Sequence, residues 1–579
     1  MPAGPAASPD PAWDYVVDLL VVGAGAGGMT AALVGALEGL SVLVCEKAAQ
    51  VGGTAATSAG TIWIPGSRQS AAAGLADSLE AAQRYLEAEV GPADGDARRR
   101  AFLETGPAML DYLEARSEVR FVPPPKHPDY HDRPGAALAG RALIPPSFDG
   151  RRLGDAFALV RPPLPEFMVL GGMMVGKDDI PPLLRPFRSA RALRHVLRLV
   201  LRQLADRLRH PRGTRLVMGN ALVARLLYSL RQAGVPIWLE APVGGLVRED
   251  GRIAGAVIGG ATPRRVRARR GVVLAAGGFA AGQSWRAALL PSPTGIHTPA
   301  QDGATGDGLS LARAIGAVVE VDHASAAFWM PVSTMRRPDG SEAVYPHILL
   351  DRAKPGLIAV NAAGERFVNE ADSYHDFVLA MYRSHQRVPT IPAHLICDRR
   401  FLHDYGLGMV HPGTRRLGRF LDEGYLVAAP SLAALAGRLG MPPAALEATV
   451  ARHNGFAARG LDEDFGKGSS ELNRFNGDPG HAPNPCLRPI LEPPFFAVAV
   501  WPGVLATSAG LATDEHGAVL DSAGTPIAGL YACGNDMASV MRGAYPGPGT
   551  TLGPALVFGY RAALHAAGKP VRAGANAPG

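Results

Sequence analysis

The chain has 579 residues, of which 47% are hydrophobic and 19% are charged, a balance that excludes a disordered protein. Its length predicts two or three domains rather than a single core. The net charge of +6 hides one basic segment: the ten arginines and one acid between Arg185 and Arg215 carry +9, so the rest of the chain sums to −3.

The N-terminus and the cysteines give little sign of export or of a metal site. The first residues, MPAGPAASPDPAWD, have neither the basic nor the apolar part of a signal peptide. No apolar run reaches the roughly 18 residues that a transmembrane helix needs, so we expect a cytoplasmic protein. Cys45, Cys397, Cys486 and Cys533 form no CxxC pair, which argues against zinc and against a disulfide framework.

The first strong motif is DLLVVGAGAGGMTAALVGALEGLSVLVCEK, which predicts a strand, a tight turn, a helix and a second strand. Gly23, Gly25 and Gly28 form G-x-G-x-x-G at the turn, and Glu46 follows 23 residues after Gly23. The glycines allow the backbone to approach a pyrophosphate at the helix N-terminus. Glu46 suits a ribose 2′-hydroxyl rather than a 2′-phosphate. The motif therefore predicts a dinucleotide site.

The next loop, VGGTAATSAGTIWIP, indicates which dinucleotide binds. It places Gly53, Thr54 and Ser58 directly after the second strand, where an NAD domain normally continues into its next helix. A second loop of small and hydroxyl residues suggests a cofactor that lies across it, with flavin and ribityl groups further along. We therefore expect FAD.

The basic segment contains RSARALRHVLRLVLRQLADRLRH, which has the period of an amphipathic helix from Arg188 to His210. One face would carry the apolar side chains Leu193, Val196, Leu197, Val200, Leu201, Leu204 and Leu208. The opposite side would carry Arg191, Arg194, Arg198, Arg202 and Arg209, with Arg207 at the edge of the apolar face. The pattern suits peripheral contact of about residues 185–215 with an anionic membrane, and equally a helix whose leucines pack on the protein. Nucleic acid is not expected, because no aromatic residues interleave with the arginines.

Three later segments complete the predicted nucleotide-binding sheet. Trp238–Gly260 predicts a hairpin with its turn at Glu249–Gly251, and Gly271–Ala276 predicts a buried strand. Near the end, Pro526–Asp536 predicts another strand that closes on Gly-Asn-Asp.

This layout resembles the flavoproteins of the fumarate reductase and succinate dehydrogenase family. The resemblance implies an α/β fold with a Rossmann-type FAD-binding domain assembled from both chain ends and an inserted α+β catalytic domain. The implied ranges are 1–283, including a helical basic insertion at about 145–235, then 284–490 for the catalytic domain, and 491–579. TGDGLSLARAIGA, Thr305 to Ala317, is similar to the family's short flavin-contacting helix. Further cofactor candidates in these segments and near the C-terminus are Val243, Gly277, Asp307, Asn535, Thr551 and Leu552.

The stretch RGAYPGPGTTLGPAL, Arg542 to Leu556, resembles the YPGPGG loop of the 3-ketosteroid Δ1-dehydrogenases within that family. The resemblance implies that Tyr545 and the Gly549 N–H bind the C3 carbonyl oxygen of a steroid. Thr550 departs from the family's second glycine. GERFVNEADSYHDF implies Tyr374 as the proton-abstracting base, and KHPDYHDRPGAAL implies Tyr130 as its assistant, with His131 at the place of the family's second aromatic residue.

The implied reaction, a step of steroid degradation, removes a proton from C2 and a hydride from C1, the hydride going to flavin N5 and later to an external electron acceptor. Two donors would stabilise the negative charge that develops on the carbonyl oxygen, and a tyrosinate would take the proton. Pro546 and Pro548 would stiffen the loop that holds Tyr545.

Other functions remain open at this point. A Δ4-(5α)-ketosteroid dehydrogenase would share most of these motifs. Arg542 supports a fumarate reductase-like alkene reductase, because a cation near the flavin could bind a dicarboxylate. A non-catalytic, membrane-associated flavin-binding protein would need the nucleotide motif but not the three tyrosines.

Overall fold

The structure, a computed structural model, describes residues 13–75, 77–92, 96–259, 262–295, 297–348 and 351–571. Within this part of the chain, eight strands form the nucleotide-binding sheet: Tyr15–Val22, Val42–Cys45, Ile237–Trp238, Val243–Glu249, Arg252–Ile258, Arg264–Leu274, Ala518–Leu520 and Pro526–Ala532. The sheet thus takes strands from both ends of the chain, as predicted.

The centre of this sheet is parallel and fixes where the cofactor loops lie. Val22 pairs with both Cys45 and Leu274, and Leu274 pairs with Ala532. Because parallel strands end at the same edge, the loops that follow these four residues converge there. One long strand, Arg264–Leu274, joins the chain ends, since it pairs along one side with the N-terminal strand and at its end with Pro526–Ala532.

A separate antiparallel sheet lies in the middle of the chain. Its strands within the described residues are Ala327–Arg336, Glu342–Pro346, Leu357–Val360, Ala393–Asp398, Val427–Ala429 and Phe495–Thr507. The long strand Phe495–Thr507 pairs with three of the others and is buried along most of its length. This second sheet confirms the predicted fold class.

Eight of the described helices exceed ten residues: Ala26–Leu37, Leu79–Val90, Ala97–Arg116, Ala190–Arg207, Met218–Gln232, Tyr374–His385, Pro443–Arg459 and Leu552–Ala566. The first and last of these pack together through glycines. A Cβ atom on Gly559 would lie 2.6 Å from the Gly27 carbonyl oxygen, so a larger residue at 559 would push the two helices apart. This close approach brings the C-terminal helix and the loop before it beside the glycine motif.

Several element boundaries differ from the sequence prediction. The strand expected at Gly271–Ala276 begins at Arg264 and ends at Leu274, because Val266 and Ala268 alternate as buried residues among arginines that face outward. The helix expected at Arg188–His210 spans Ala190–Arg207. Among the described residues, no helix combines the length and hydrophobicity needed to cross a membrane.

Candidate active site

The glycine motif adopts a conformation that only glycine allows. Gly23 has φ +104°, and a Cβ atom there would lie 2.3 Å from the Ala275 carbonyl oxygen. A Cβ on Gly28 would lie 2.1 Å from the Gly23 carbonyl oxygen, so only glycine allows the helix to lie this close to its strand. Gly25 faces open space in the cavity described below, so a bound group can reach its backbone.

Glu46 ties the two nucleotide loops together. One carboxylate oxygen accepts the Ala24 N–H at 2.8 Å and the other accepts the Ala48 N–H at 2.9 Å. These contacts hold the acid at the end of the second strand, where it lines the cavity. Its predicted contact with the ribose remains a prediction.

Asp536 links the C-terminal segment to the loop that follows the strand Arg264–Leu274. Its carboxylate accepts the Ala276 N–H at 2.6 Å and the Gly278 N–H at 2.9 Å. Burial raises the pKa of this carboxyl to about 6, while the two N–H donors favour its ionised form. The sequence motif points to the neighbouring Asn535 but gives no sign of the bridging role of Asp536.

All of these elements open into one cavity, whose empty volume, entrance included, is about 1830 Å³. Its lining includes every predicted cofactor residue: Gly23, Gly25, Gly28, Glu46, Gly53, Thr54, Ser58, Val243, Gly277, Asp307, Asn535, Thr551 and Leu552. Gly53, like Gly25, presents open space where a Cβ would stand. Glycines that leave room beside the helix N-terminus fit the pyrophosphate and ribityl parts of FAD.

The predicted catalytic residues Tyr130, Tyr374, Tyr545 and Gly549 line the same cavity. The loop that carries Tyr545 and Gly549 is held by hydrogen bonds to the carbonyl group of Pro546. The Pro546 carbonyl oxygen accepts the Tyr85 hydroxyl at 2.6 Å and the Tyr130 N–H at 2.8 Å. Tyr85, which the sequence analysis did not consider, therefore fixes the residue that follows Tyr545.

Gly549 cannot be replaced without moving the short strand Ile62–Trp63. It has φ +97°, and a Cβ atom there would lie 2.4 Å from the Ile62 carbonyl carbon. Within the described structure its N–H donates to no protein acceptor, so it can serve a ligand in the cavity. Thr550, the departure from the family pattern, is fully buried, and its hydroxyl donates to the Gly547 carbonyl at 2.6 Å.

The three tyrosines form one buried cluster. The Tyr130 hydroxyl donates to the Tyr374 hydroxyl at 3.1 Å, and the rings of Tyr374 and Tyr545 meet edge to face with centroids 5.2 Å apart. Tyr130 stacks on Tyr545 at 5.6 Å. Burial, with the neighbouring tyrosines, raises the pKa of Tyr374 well above 10, and burial raises that of Tyr545 to about 12. The cluster therefore offers hydroxyl donors at neutral pH and a tyrosinate only at alkaline pH.

His131 joins the Tyr130 loop to the helix that begins at Tyr374. Its ring nitrogens lie 2.7 Å from a Glu89 carboxylate oxygen and 2.8 Å from an Asp376 carboxylate oxygen. Burial opposes the charged imidazolium, but the hydrogen bonds to Asp376 and Glu89 outweigh it and raise the pKa of His131 to about 10. His131 is thus an imidazolium at neutral pH and bridges two acids from different elements.

Apolar side chains such as Leu164, Phe167 and Met330 also line the cavity. None of the described lining residues is an arginine, and the lining Lys47 is paired with Asp307 at 2.5 Å. Burial lowers the pKa of the lining His127 to about 4, so this imidazole is neutral at pH 7.

Arg542, on which the fumarate reductase alternative depends, points elsewhere. Its guanidinium donates to the Asp322 carbonyl at 2.7 Å and lies 3.5 Å from a Glu320 carboxylate oxygen. It is absent from the described lining of the cavity.

Comparison with known proteins agrees with this architecture. Residues 18–552 match the FAD binding domain family. The chain is 42% identical to 4-oxocyclohex-2-ene-1-carboxylate 5-dehydrogenase of Sinomonas cyclohexanicum, with 94% of this chain and 92% of that protein covered. It is 38% identical to a 3-oxosteroid 1-dehydrogenase of Mycobacterium tuberculosis, with 95% and 98% covered.

Among solved structures, 3-ketosteroid Δ1-dehydrogenase from Sterolibacterium denitrificans, in complex with 1,4-androstadiene-3,17-dione, is similar over nearly its whole length. The TM-score is 0.89 at 37% identity, and the match covers 96% of this chain and 99% of that one. The cofactor of this fold is FAD.

Proposed function

We propose that this chain, which belongs to the FAD binding domain family of flavoproteins, is a 3-ketosteroid Δ1-dehydrogenase. It is an FAD-dependent oxidoreductase that dehydrogenates an oxo-compound, and its relatives act on steroids or on cyclohexenone carboxylates.

The observation that carries the choice is the charge of the cavity. A carboxylate substrate buried there would need a cationic partner, because an unpaired buried charge is costly. Among the described lining residues, Lys47 is already paired with Asp307 and no arginine is present. An apolar steroid with one ketone needs only hydrogen-bond donors at one end and apolar walls elsewhere, which this cavity supplies.

The proposed roles follow from the positions of the polar groups. The Tyr545 hydroxyl and the Gly549 N–H bind the C3 carbonyl oxygen and stabilise the negative charge that develops on it, each worth about 3 kcal/mol. Tyr374, as tyrosinate, takes the proton from C2. Tyr130, whose hydroxyl donates to that of Tyr374 at 3.1 Å, holds that hydroxyl in place and stabilises its anion. Bound FAD supplies the acceptor for the hydride from C1.

The structure favours this function over the alternatives. A dicarboxylate reductase would need Arg542 in the cavity, and Arg542 is engaged with Asp322 and Glu320 instead. A non-catalytic flavin protein would not need a donor cluster of three tyrosines. A Δ4-(5α)-dehydrogenase differs only in which carbon atoms face the base and the flavin, so product analysis separates it.

The test is anaerobic reduction of the FAD-loaded enzyme. Androst-4-ene-3,17-dione and 4-oxocyclohex-2-ene-1-carboxylate are added separately, and the oxidised-flavin absorbance is followed. Rapid bleaching by the steroid alone supports the proposal. Bleaching by the carboxylate alone overturns it and assigns the smaller substrate.

A further inference from the structure

A buried arginine, Arg352, lies close to the tyrosine cluster but outside the cavity. The residue is 2% exposed and is absent from the described lining, so it does not contact a bound substrate. Its guanidinium donates to backbone carbonyl oxygens, those of Glu370 at 2.8 Å, His347 at 2.9 Å, Asp372 at 3.2 Å and Ile348 at 3.4 Å. Neutral groups alone therefore hold this side chain in place.

No carboxylate of the described residues forms a direct ion pair with Arg352. Two nearby acids have closer partners of their own. Asp351 lies 2.6 Å from a ring nitrogen of His347, and Glu370 lies 2.8 Å from the guanidinium of Arg366. The acids act on Arg352 only at longer range, so its positive charge is not neutralised at short range and extends to other neighbours.

Arg352 lies against the face of the helix Tyr374–His385 that carries Tyr374. Its guanidinium carbon is 4.9 Å from the centre of the Phe377 ring, and Phe377 follows Tyr374 by three residues, which places both side chains on one face of that helix. The bond to the carbonyl of Asp372 fixes the backbone two residues before Tyr374. The guanidinium thus holds the start of the helix and brings its charge to the side that bears Tyr374.

The charge of Arg352 acts on the pair of hydroxyls that Tyr130 and Tyr374 form. Burial raises the pKa of Tyr130, and the nearby Tyr545 and Asp376 raise it further. Arg352 acts in the opposite direction, as does the hydrogen bond to Tyr374. Because one hydrogen bond joins the two hydroxyls, a negative charge on either oxygen belongs to the pair, and the two titrate jointly.

The other titratable groups around the pair supply no comparable cation. His131 lies between the carboxylates of Glu89 and Asp376, which match its charge. Burial lowers the pKa of His375 to about 4, so this imidazole is neutral at pH 7. Burial raises the pKa of Asp372 to about 6, and this carboxyl brings no positive charge in either form.

We propose that Arg352 is a positioning residue that stabilises the negative charge of the Tyr130–Tyr374 pair and holds the backbone before Tyr374. A tyrosinate buried without a cation is costly, and a guanidinium close to it lowers that cost. The inference rests on the proposed function, because it needs a tyrosinate that removes the proton beside a ketone. It holds for either class of oxo-substrate, since Arg352 does not touch the substrate.

The test separates the charge of Arg352 from its hydrogen bonds. Arg352→Lys keeps a positive charge but loses the planar set of donors, whereas Arg352→Gln keeps an amide donor and loses the charge. Flavin reduction by androst-4-ene-3,17-dione is followed by stopped flow in the FAD-loaded variants. We expect Arg352→Gln to be at least about 10-fold slower than Arg352→Lys near neutral pH, the effect of a one-unit rise in the pKa of the pair.

The pH profile is a second measurement, and it needs only the lysine variant. Burial lowers the pKa of Arg352 to about 10, and an ammonium at the same place loses its charge at a lower pH, because the ordinary pKa of lysine is lower. The ratio of the wild-type rate to the Arg352→Lys rate should therefore grow as the pH rises from neutral to alkaline. A ratio that is constant over this range would assign Arg352 a purely structural role and overturn the proposal.

Arg225 provides a matched control. It is buried and likewise donates to backbone carbonyls, those of Glu118, Pro146 and Ser147, but it lies outside the described lining of the cavity. Arg225→Gln should lower thermal stability, as Arg352→Gln does, and should still reduce its flavin at the wild-type rate. An equal loss of rate in both glutamine variants would contradict a special role for Arg352.

Equal rates of Arg352→Lys and Arg352→Gln, or a wild-type rate in Arg352→Gln, would also overturn the proposal. The wild-type enzyme reports separately on the proposed function. If only 4-oxocyclohex-2-ene-1-carboxylate bleaches its flavin, the steroid assignment fails and the same variants are compared with the carboxylate. If neither compound bleaches the wild-type flavin, both proposals fail together.

Discussion

The hydroxyl oxygens of Tyr130 and Tyr374 lie 3.1 Å apart, although 244 residues separate them in the chain. A second contact joins the same two segments, because the His131 ring lies 2.8 Å from the Asp376 carboxylate. Two parallel contacts therefore fasten the loop at 130 to the first turn of the helix Tyr374–His385. Their geometry decides whether a base can stand beside a substrate carbonyl held by Tyr545 and Gly549.

Loss of the Tyr545 hydroxyl tests the proposed oxyanion donor. Tyr545→Phe should fold and retain FAD, because the ring still packs between Tyr130 and Phe328. Its kcat for the steroid should fall at least about 100-fold. Tyr531→Phe is the matched control, since that hydroxyl bonds His565 at 2.9 Å outside the cavity lining. Equal activity of the two variants would remove Tyr545 from the mechanism.

Loss of the Tyr374 hydroxyl tests the proposed base. Tyr374→Phe should be the most damaging single hydroxyl loss, because it removes the group proposed to take the proton. In deuterated water, exchange of the steroid C2 hydrogen should disappear in this variant and persist, at a reduced rate, in Tyr130→Phe. Wild-type exchange in Tyr374→Phe would show that the base lies elsewhere.

The pH dependence follows from the buried position of Tyr374. Burial raises the pKa of this tyrosine well above 10, so only a small tyrosinate fraction exists at neutral pH. The fraction, and with it kcat/KM, should grow about tenfold per pH unit below that pKa. Stopped-flow flavin reduction from neutral to alkaline pH measures the slope, and a rate that is flat over this range would contradict a tyrosinate base.

His131 should stabilise the fold in a pH-dependent way. The pKa of His131 is raised to about 10 in the folded protein, above its ordinary value near 6.5. The stabilisation is therefore complete below about pH 6.5 and is lost as the pH rises through about 10. His131→Gln should lower Tm most at pH 6 and little at pH 10.5, when thermal melts of both proteins are compared. A loss of Tm that is the same at every pH would assign His131 a packing role instead.

The sequence was most informative where a motif sits between two strong elements. Gly23, Gly25 and Gly28 follow a buried strand and open a helix, and this context predicted both the turn and a dinucleotide site. The resemblance of three separate segments, around Tyr130, Tyr374 and Tyr545, placed four catalytic candidates that the structure brings into one cavity. Each of these predictions depends on residues that are close in sequence.

The features that the sequence did not predict depend on residues that come into contact only after folding. The bridging contacts of Asp536 and His131 could not be predicted from the sequence, because their partners Gly278, Glu89 and Asp376 are 42 to 258 residues away. The helix Ala190–Arg207 shows the same limit. Its period revealed which side chains share a face, but polar contacts of Gln203 and Asp206 decide which face meets the protein.

The central claim, dehydrogenation of a 3-ketosteroid at C1 and C2, is tested most directly by the product. The FAD-loaded enzyme is incubated with androst-4-ene-3,17-dione and an artificial electron acceptor, and the product is examined by NMR. We predict androsta-1,4-diene-3,17-dione, with new vinyl protons at C1 and C2. Unchanged steroid, or a double bond formed at any other position, would contradict the assignment.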